Sequence, residues 1–164
     1  MAGKSLKWNG EALLKAMDEA QQVGINQTMS ACVEHATNNH PFKNRSTFLE
    51  GSLDVAQSAT RVEGGYQGKW GSLDIEYALA IELGATINHP GGTAYYIDES
   101  GKAVFMSNRS ALSEGLPRTK PHRIVIKPHP FLRPAGDAQY PGLTDRVRKA
   151  LERRHTAIYG KDKG

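Results

Sequence analysis

Between Leu13 and Ala36 apolar residues return at Leu13, Leu14, Met17, Ala20, Ile25, Met29, Cys32, Val33 and Ala36, close to the 3.6-residue period of an amphipathic helix. The stretch lacks the β-branched and aromatic clusters that a strand would carry. One long helix is predicted, or two with a break at Gly24. Asn9 is placed to cap it, since its side chain can accept from a first-turn amide, and Glu11 suits the positive helix end. Asn38-Asn39-His40-Pro41 ends it, because the residue before a proline disfavours helical backbone.

The period then changes. Ser46 is expected to cap a short helical turn through Glu50, and Leu53, Val55, Ala59 and Val62 mark a strand whose alternate residues face a core. Gly64-Gly65 supplies a reversal, and Tyr66 to Leu73 reads as the returning strand, with Trp70 its largest anchor. Asp74 to Leu83 fits strand or helix; the run Ala78 to Ile81 favours a short helix stopped by Gly84. Ala94 to Ile97 and Lys102 to Met106 form a predicted hairpin around Asp98-Glu99-Ser100-Gly101, whereas Ser107 to Lys120 has little periodicity and is expected to be a mobile loop. Arg123 to Lys127 alternates basic and apolar residues as a strand does. Leu143 to Ile158 reads as a final helix with Leu143, Val147 and Leu151 on one side and Arg146, Lys149, Arg153 and Arg154 on the other. The order argues for an α+β fold: a mainly antiparallel sheet packed by a long N-terminal helix and a basic C-terminal helix.

Composition narrows the class. A chain of 164 residues, 38% hydrophobic and 23% charged, suits one core. No apolar run approaches the roughly 18 residues that span a bilayer, so no membrane partner is expected. The first ten residues do not resemble a secretion signal. The single cysteine, Cys32, rules out an internal disulfide and any multi-cysteine metal cage, and suits a reducing compartment. Charge is segregated: residues 1–114 carry nine Lys/Arg against thirteen Asp/Glu, a net −4, and residues 115–164 carry twelve against four, a net +8. That asymmetry suits an anionic partner, an acidic surface on a second copy, or simply a solvated basic helix.

Motifs for catalysis are missing. There is no Walker loop, dinucleotide fingerprint, nucleophile elbow or HExxH, and the six histidines include no pair at i, i+4 or i, i+2. No catalytic residue, cofactor or metal is therefore expected. His89-Pro90-Gly91-Gly92 matches the haem-ligand tetrapeptide of cytochrome b5, with His122 as the second ligand it would need, but the polar surroundings favour a turn. Glu76 and Glu82 lie six apart, on different sides of a helix, which suits an ion pair for Glu82 better than paired acid–base work. Arg118, Lys120, Arg123, Lys127 and Arg133 form a run without acidic residues, enough for nonspecific contact with a DNA backbone. Phe131 is the only aromatic there, so base stacking is disfavoured.

A family resemblance emerges from the order of short blocks: Lys7-Trp8-x-Gly10, His40-Pro41-Phe42, Ser46-Thr47-Phe48-Leu49-Glu50-Gly51-Ser52-Leu53, Trp70-Gly71-Ser72, Tyr77-Ala78, Leu83-Gly84-Ala85 and His129-Pro130-Phe131-Leu132-Arg133-Pro134-Ala135. Their succession over nearly the whole chain resembles the neck or tail-completion (minor tail) proteins of long-tailed bacteriophages. Ser46-Thr47-Phe48-Leu49 departs from the Thr-Gly-x-Leu of many relatives, and 86–127 is longer than in the shorter ones. The resemblance implies one domain, 1–164, with 86–127 as an extended hairpin-and-loop insertion. It also implies a non-enzymatic virion protein at the neck or top of the tail, assembled in the host cytoplasm. Such a protein would form a homo-oligomeric ring, six-fold in preference to twelve-fold, meeting head-closure and tail-tube proteins and contacting passing double-stranded DNA only transiently. Tail terminator and head-closure protein are neighbouring roles in the same neck. On that view Glu82, Phe131, Leu132 and Arg133 are subunit-interface or corner residues, Arg133 pairing with Glu82 or a neighbour's carboxylate. Arg118, Lys120, Arg123 and Lys127 would face the lumen or a partner.

Overall fold

The computed structural model describes residues 10–42 and 47–159, with side chains through Thr156. The expected caps at Asn9 and Ser46, and Lys7-Trp8, lie outside the described residues. The elements run α1 (Gly10–Asn38), α2 (Phe48–Gly51), β1 (Leu53–Val62), β2 (Gly65–Ser72), α3 (Ala78–Leu83), β3 (Ala85–His89), β4 (Ala94–Ile97), β5 (Ala103–Met106), β6 (His122–Ile126), α4 (Leu132–Gln139) and α5 (Leu143–Tyr159). The class is α+β and the pairing is antiparallel, but the strands make three two-stranded pairs, β1–β2, β3–β6 and β4–β5, instead of one sheet. Glycines at positive φ, among them Gly64, Gly84, Gly92 and Gly101, turn the chain away at the ends of these pairs. Two compact units result: residues 1–78 with 129–164, and residues 79–128. The predicted insertion 86–127 falls inside the second, which begins earlier, at Leu79.

In the first unit α1 is unbroken at Gly24. Its buried stripe keeps Ala20, Met29, Cys32 and Ala36 of the expected one and corrects the rest. Ala16, Ala20, Gly24, Thr28, Cys32 and Ala36 are buried at four-residue intervals, together with Met29, while Leu13, Leu14 and Met17 are exposed. A row of small residues at i, i+4 makes a shallow groove into which another helix can sink. Helix α5 does so: a Cβ built on Gly24 would stand 2.9 Å from the Val147 backbone nitrogen. The buried Thr28 hydroxyl is satisfied by donating to the Gly24 carbonyl (2.8 Å).

Arg146, expected on the solvent side of the final helix, is half-buried instead. Its Nη1 donates to the Gln139 carbonyl (2.8 Å) and its Nη2 to Gln139 Oε1 (2.7 Å). Part of the basic charge is matched locally, by Arg154 with Glu19 (2.5 Å) and Arg148 with Asp145 (2.8 Å). Exposed pairs of this kind contribute about 0–1 kcal/mol each; Arg154 with Glu19 links α5 to α1, whereas Arg148 and Asp145 both lie on α5.

Cys32 is buried, and desolvation raises its thiol pKa against the smaller opposing effect of the Arg146 charge. The folded protein therefore keeps the proton longer than the unfolded chain does. Stability is expected to stay flat below the ordinary thiol range and to fall as pH rises above it, where only the unfolded state ionises readily. Urea midpoints across the neutral-to-alkaline range check the sign; Cys32→Ser should flatten the alkaline slope.

The β1–β2 hairpin packs on α1. Its register slips twice, between Asp54 and Gln57 and between Gln57 and Thr60, each slip giving β1 one extra residue. The amide of Ala59, within the second slip, donates to Asn26 Oδ1 of α1 (2.7 Å), so the bulge doubles as a helix tether. Trp70 is half-buried, and its indole N–H donates to Tyr140 Oη (3.0 Å). Before α4, Phe131 is 1% exposed and meets Phe42 edge-on at 5.3 Å between centroids; Phe42 in turn stacks on His40 at 4.2 Å. Phe131 is thus packed inside the first unit just before α4, Leu132 is half-buried and Arg133 is exposed.

Candidate functional site

The second unit is built without a core. Of its residues only Ala94 and Ser113 are buried, while Phe105 (63%), Val125 (65%) and Leu112 (76%) are largely exposed, as are Leu79, Leu83 and Ile97. Isolated two-stranded ribbons are marginal in water and need an apolar face covered. What holds this unit together is polar and concentrated on Asn108. Its Oδ1 accepts from the Ala94 amide (3.0 Å) and from Arg118 Nη1 (2.9 Å), and its Nδ2 donates to the Gly92 carbonyl (2.9 Å). Arg118 Nη1 also reaches that carbonyl at 2.9 Å.

Residues 117–119 then run beside β4: the Tyr95 amide donates to the Pro117 carbonyl, the Thr119 amide to the Thr93 carbonyl, and the Gly92 amide to the Thr119 carbonyl. The stretch Ser107 to Lys120, expected as a mobile loop, is consequently tied down by backbone and side-chain bonds, with a 3₁₀ turn at Ala111–Ser113 capped by Ser110. Hydrophobic periodicity is blind to such a segment because its bonds come from amides and an asparagine. Asn108→Ala should cost about 1–3 kcal/mol from the groups left unpaired. Its signature is local: the Ala94 amide should exchange with deuterium much faster, with amides of α1 unaffected.

The glycines of His89-Pro90-Gly91-Gly92 serve this packing. Gly91 has φ +78°, and a Cβ there would lie 2.6 Å from the Thr119 carbonyl oxygen. Strand pairing sets His89 opposite His122, and their rings stack at 4.9 Å with 28° between planes. Two axial ligands of one iron would each have to point a nitrogen at a point between them. Stacked rings do not, and both Nδ1 atoms have other partners: His89 Nδ1 accepts from the Gly91 amide and His122 Nδ1 contacts the Lys120 carbonyl oxygen. No cluster of three or more His, Cys, Asp or Glu suited to a metal occurs among the described residues.

The hairpin β4–β5 has two unlike faces. Register places Tyr95 opposite Phe105 and Ile97 opposite Ala103 on one, and Ala94 opposite Met106 on the other. Ala94 is buried, so the Tyr95–Phe105 face is the outer one. At its turn Asp98 Oδ1 accepts from Ser100 Oγ and from the Lys102 amide, and these bonds, the Ser100 hydroxyl first, hold its carboxyl pKa below the usual range. An open cleft of about 410 Å³ lies over the outer face. Tyr95, Ala103 and Phe105 form its floor; Arg118, Thr119, Lys120 and His122 form its polar side. No carboxylate lines it.

The predicted site residues are spread over both units. Arg118 and Lys120 meet at this cleft, although Arg118, expected to face a lumen or partner, spends Nη1 on Gly92 and Asn108 and is in that respect a scaffold residue. Arg123 and Lys127 are exposed and do not line it. Glu82 is half-buried and belongs to the second unit, whereas Phe131, Leu132 and Arg133 belong to the first. Sequence reasoning missed Tyr95, Phe105 and Asn108; the period-2 alternation of Tyr95 with Ile97 and of Ala103 with Phe105 was the available signal for two of them.

A second cleft, in the first unit, is polar and lined by Glu34, His35, Asn38, Gln139 and Arg146 among others. Its arginine is already bonded to Gln139. No family model, no curated protein and no solved structure matches this chain.

Proposed function

We propose that the chain is a non-enzymatic structural protein of the bacteriophage head–tail junction, which closes into an oligomeric ring that completes the tail or neck and joins it to the head. The ordered sequence blocks from Lys7 to Ala135 support the phage assignment. One structural observation carries the assembly part: a unit spanning Leu79–Pro128 buries only Ala94 and Ser113 and leaves Leu79, Leu83, Ile97, Phe105, Leu112 and Val125 exposed. Apolar surface on that scale marks a protein-contact region, and a small unit without disulfide or metal is stabilised most by covering it. A ring needs two different patches on each copy, and the acidic and basic portions of the chain supply them.

Six copies are favoured over twelve, with DNA passing through the lumen. Lys120, Arg123 and Lys127 are exposed and free to face that lumen or a partner ring. Counting subunits by native mass spectrometry and negative-stain microscopy tests the reading: a closed ring is expected, and a monomer at every accessible concentration would end it. Arg133→Glu, at an exposed position, should abolish the ring while leaving the far-UV circular dichroism of the subunit unchanged. Duplex DNA should bind weakly at low salt and be released by moderate salt, because loose backbone contacts act through counterion release. Tight, salt-insensitive binding in a gel shift would favour a DNA-binding regulator instead.

A further inference from the structure

A ring can be closed through several pairs of surfaces, and the cleft over the outer face of β4–β5 narrows the choice. Its floor is aromatic and aliphatic (Tyr95, Phe105, Ala103), its side carries Arg118, Lys120 and His122, and no carboxylate lines it. The complementary occupant is a segment that presents carboxylates together with large apolar side chains. It must also be rigid, since the entropy lost in ordering a loose loop would cancel much of the attraction.

The first unit contains two exposed stretches of roughly that composition. Around Leu13, Leu14 and Met17 two of the three nearby carboxylates are already engaged, Asp18 with Arg61 and Glu19 with Arg154, which leaves Glu11 alone to meet a basic wall. The segment Leu73 to Tyr77 differs. Leu73 and Tyr77 are exposed, Asp74 and Glu76 are exposed, and neither carboxylate has an ion-pair partner among the described residues. No lysine or arginine occurs between Lys69 and Lys102. The turn is also held: the Leu73 amide donates to the Ser52 carbonyl (2.8 Å), the Ala78 amide to the Ile75 carbonyl (3.1 Å), and Asp74 sits at φ +57°, a left-handed conformation that aspartate tolerates.

We infer that the cleft of the second unit receives the acidic turn Leu73–Tyr77 of a neighbouring copy, with Glu76 and Asp74 against Lys120 and the Arg118 side, and Tyr77 or Leu73 against Phe105. The inference rests on the ring reading and names its contact. Because cleft and turn are different patches, the contact is heterologous, and repetition around an axis closes a ring without using both patches twice. Charge complementarity of this kind selects the partner and sets its register.

The test uses the full chain in sedimentation velocity at low and moderate salt, with circular dichroism as a fold control, since Glu76, Lys120 and Phe105 are all exposed. Glu76→Lys and Lys120→Glu should each weaken assembly at least tenfold, and the two combined in one chain should restore it. Phe105→Ser should weaken assembly to a similar degree at both salt concentrations. If the single variants disassemble and the combined swap does not recover, the two charges do not face each other and the contact is wrong. If wild type and both single variants assemble alike, the cleft serves a different partner and only this inference falls. If the wild type never assembles, the ring reading falls first and takes the inference with it.

Discussion

Truncating Phe131 to alanine is expected to destabilise the first unit by about 3–5 kcal/mol, the range for emptying an aromatic site in a packed interior. The ring is 1% exposed and is held edge-on by Phe42, which stacks in turn on His40. Little of the following helix can collapse into the space, because the buried residues of α4 are Ala135 and Gly136, which have almost no side chain to move. For a chain of this size the loss corresponds to a fall in Tm of roughly 10 °C. Phe131→Leu, which refills part of the volume, should recover about half. A drop below ~1 kcal/mol in a urea melt would show that the chain corner leading into α4 is not anchored by this ring. The neck reading assigned Phe131 to a subunit interface or to the corner; its burial within a single chain is reason enough for the residue, and its loss should act on the fold before any assembly.

The second large effect concerns Gly24, and its sign runs against helix propensity. Glycine in the middle of a helix costs about 1 kcal/mol relative to alanine, so Gly24→Ala would stabilise an isolated α1. In the folded chain the added Cβ would lie 2.9 Å from the backbone nitrogen and 3.0 Å from the Cα of Val147, closer than real Cβ atoms come to backbone. Backbone cannot rotate away as a side-chain tip does, so α5 has to move off the small-residue groove. The expected net cost is about 1–3 kcal/mol, typical of overpacking. Val147→Ala in the same chain should return only part of it, since it removes the closest side-chain contact and leaves the backbone ones. Gly68 offers the contrast: there the nearest atoms are the flexible Sδ and Cε of Met29, the closest backbone atom is the Gln57 carbonyl oxygen at 3.2 Å, and alanine should be tolerated better. A stabilised Gly24→Ala protein would mean that the two helices are not in contact at this point.

These two positions show where reading the chain succeeds and fails. The long helix, the hairpin around Gly64-Gly65, the short helix stopped by Gly84, the hairpin around Asp98 to Gly101, the strand over Arg123 to Lys127 and the final helix all follow from local signals and recur as α1, β1–β2, α3, β4–β5, β6 and α5. The buried face of α1 followed only in part. Ala20, Met29, Cys32 and Ala36 are buried as the period predicts, but hydrophobicity also pointed to Leu13, Leu14 and Met17, which are exposed, and passed over Ala16, Gly24 and Thr28, because close helix packing selects for small side chains and not only for apolar ones. The same limit placed Arg146 on the outside: a guanidinium with Gln139 to bond is stable half-buried, and a residue seven positions away along the chain is invisible to a charge count.

Short-range signals and composition were enough to establish most of the elements, though not β3 or α4, together with the α+β class, the exclusion of an internal disulfide by a single cysteine, and a segregated charge with no recognised catalytic motif. Each depends on interactions within a few residues or on simple counting. Folding in three dimensions was needed to keep the strands as three separate pairs, to bind the second unit from within through Asn108 and Arg118, and to gather Tyr95, Phe105, Lys120 and His122 around one cleft. Those outcomes come from groups far apart in the chain, whose partners are chosen by geometry that no local period encodes.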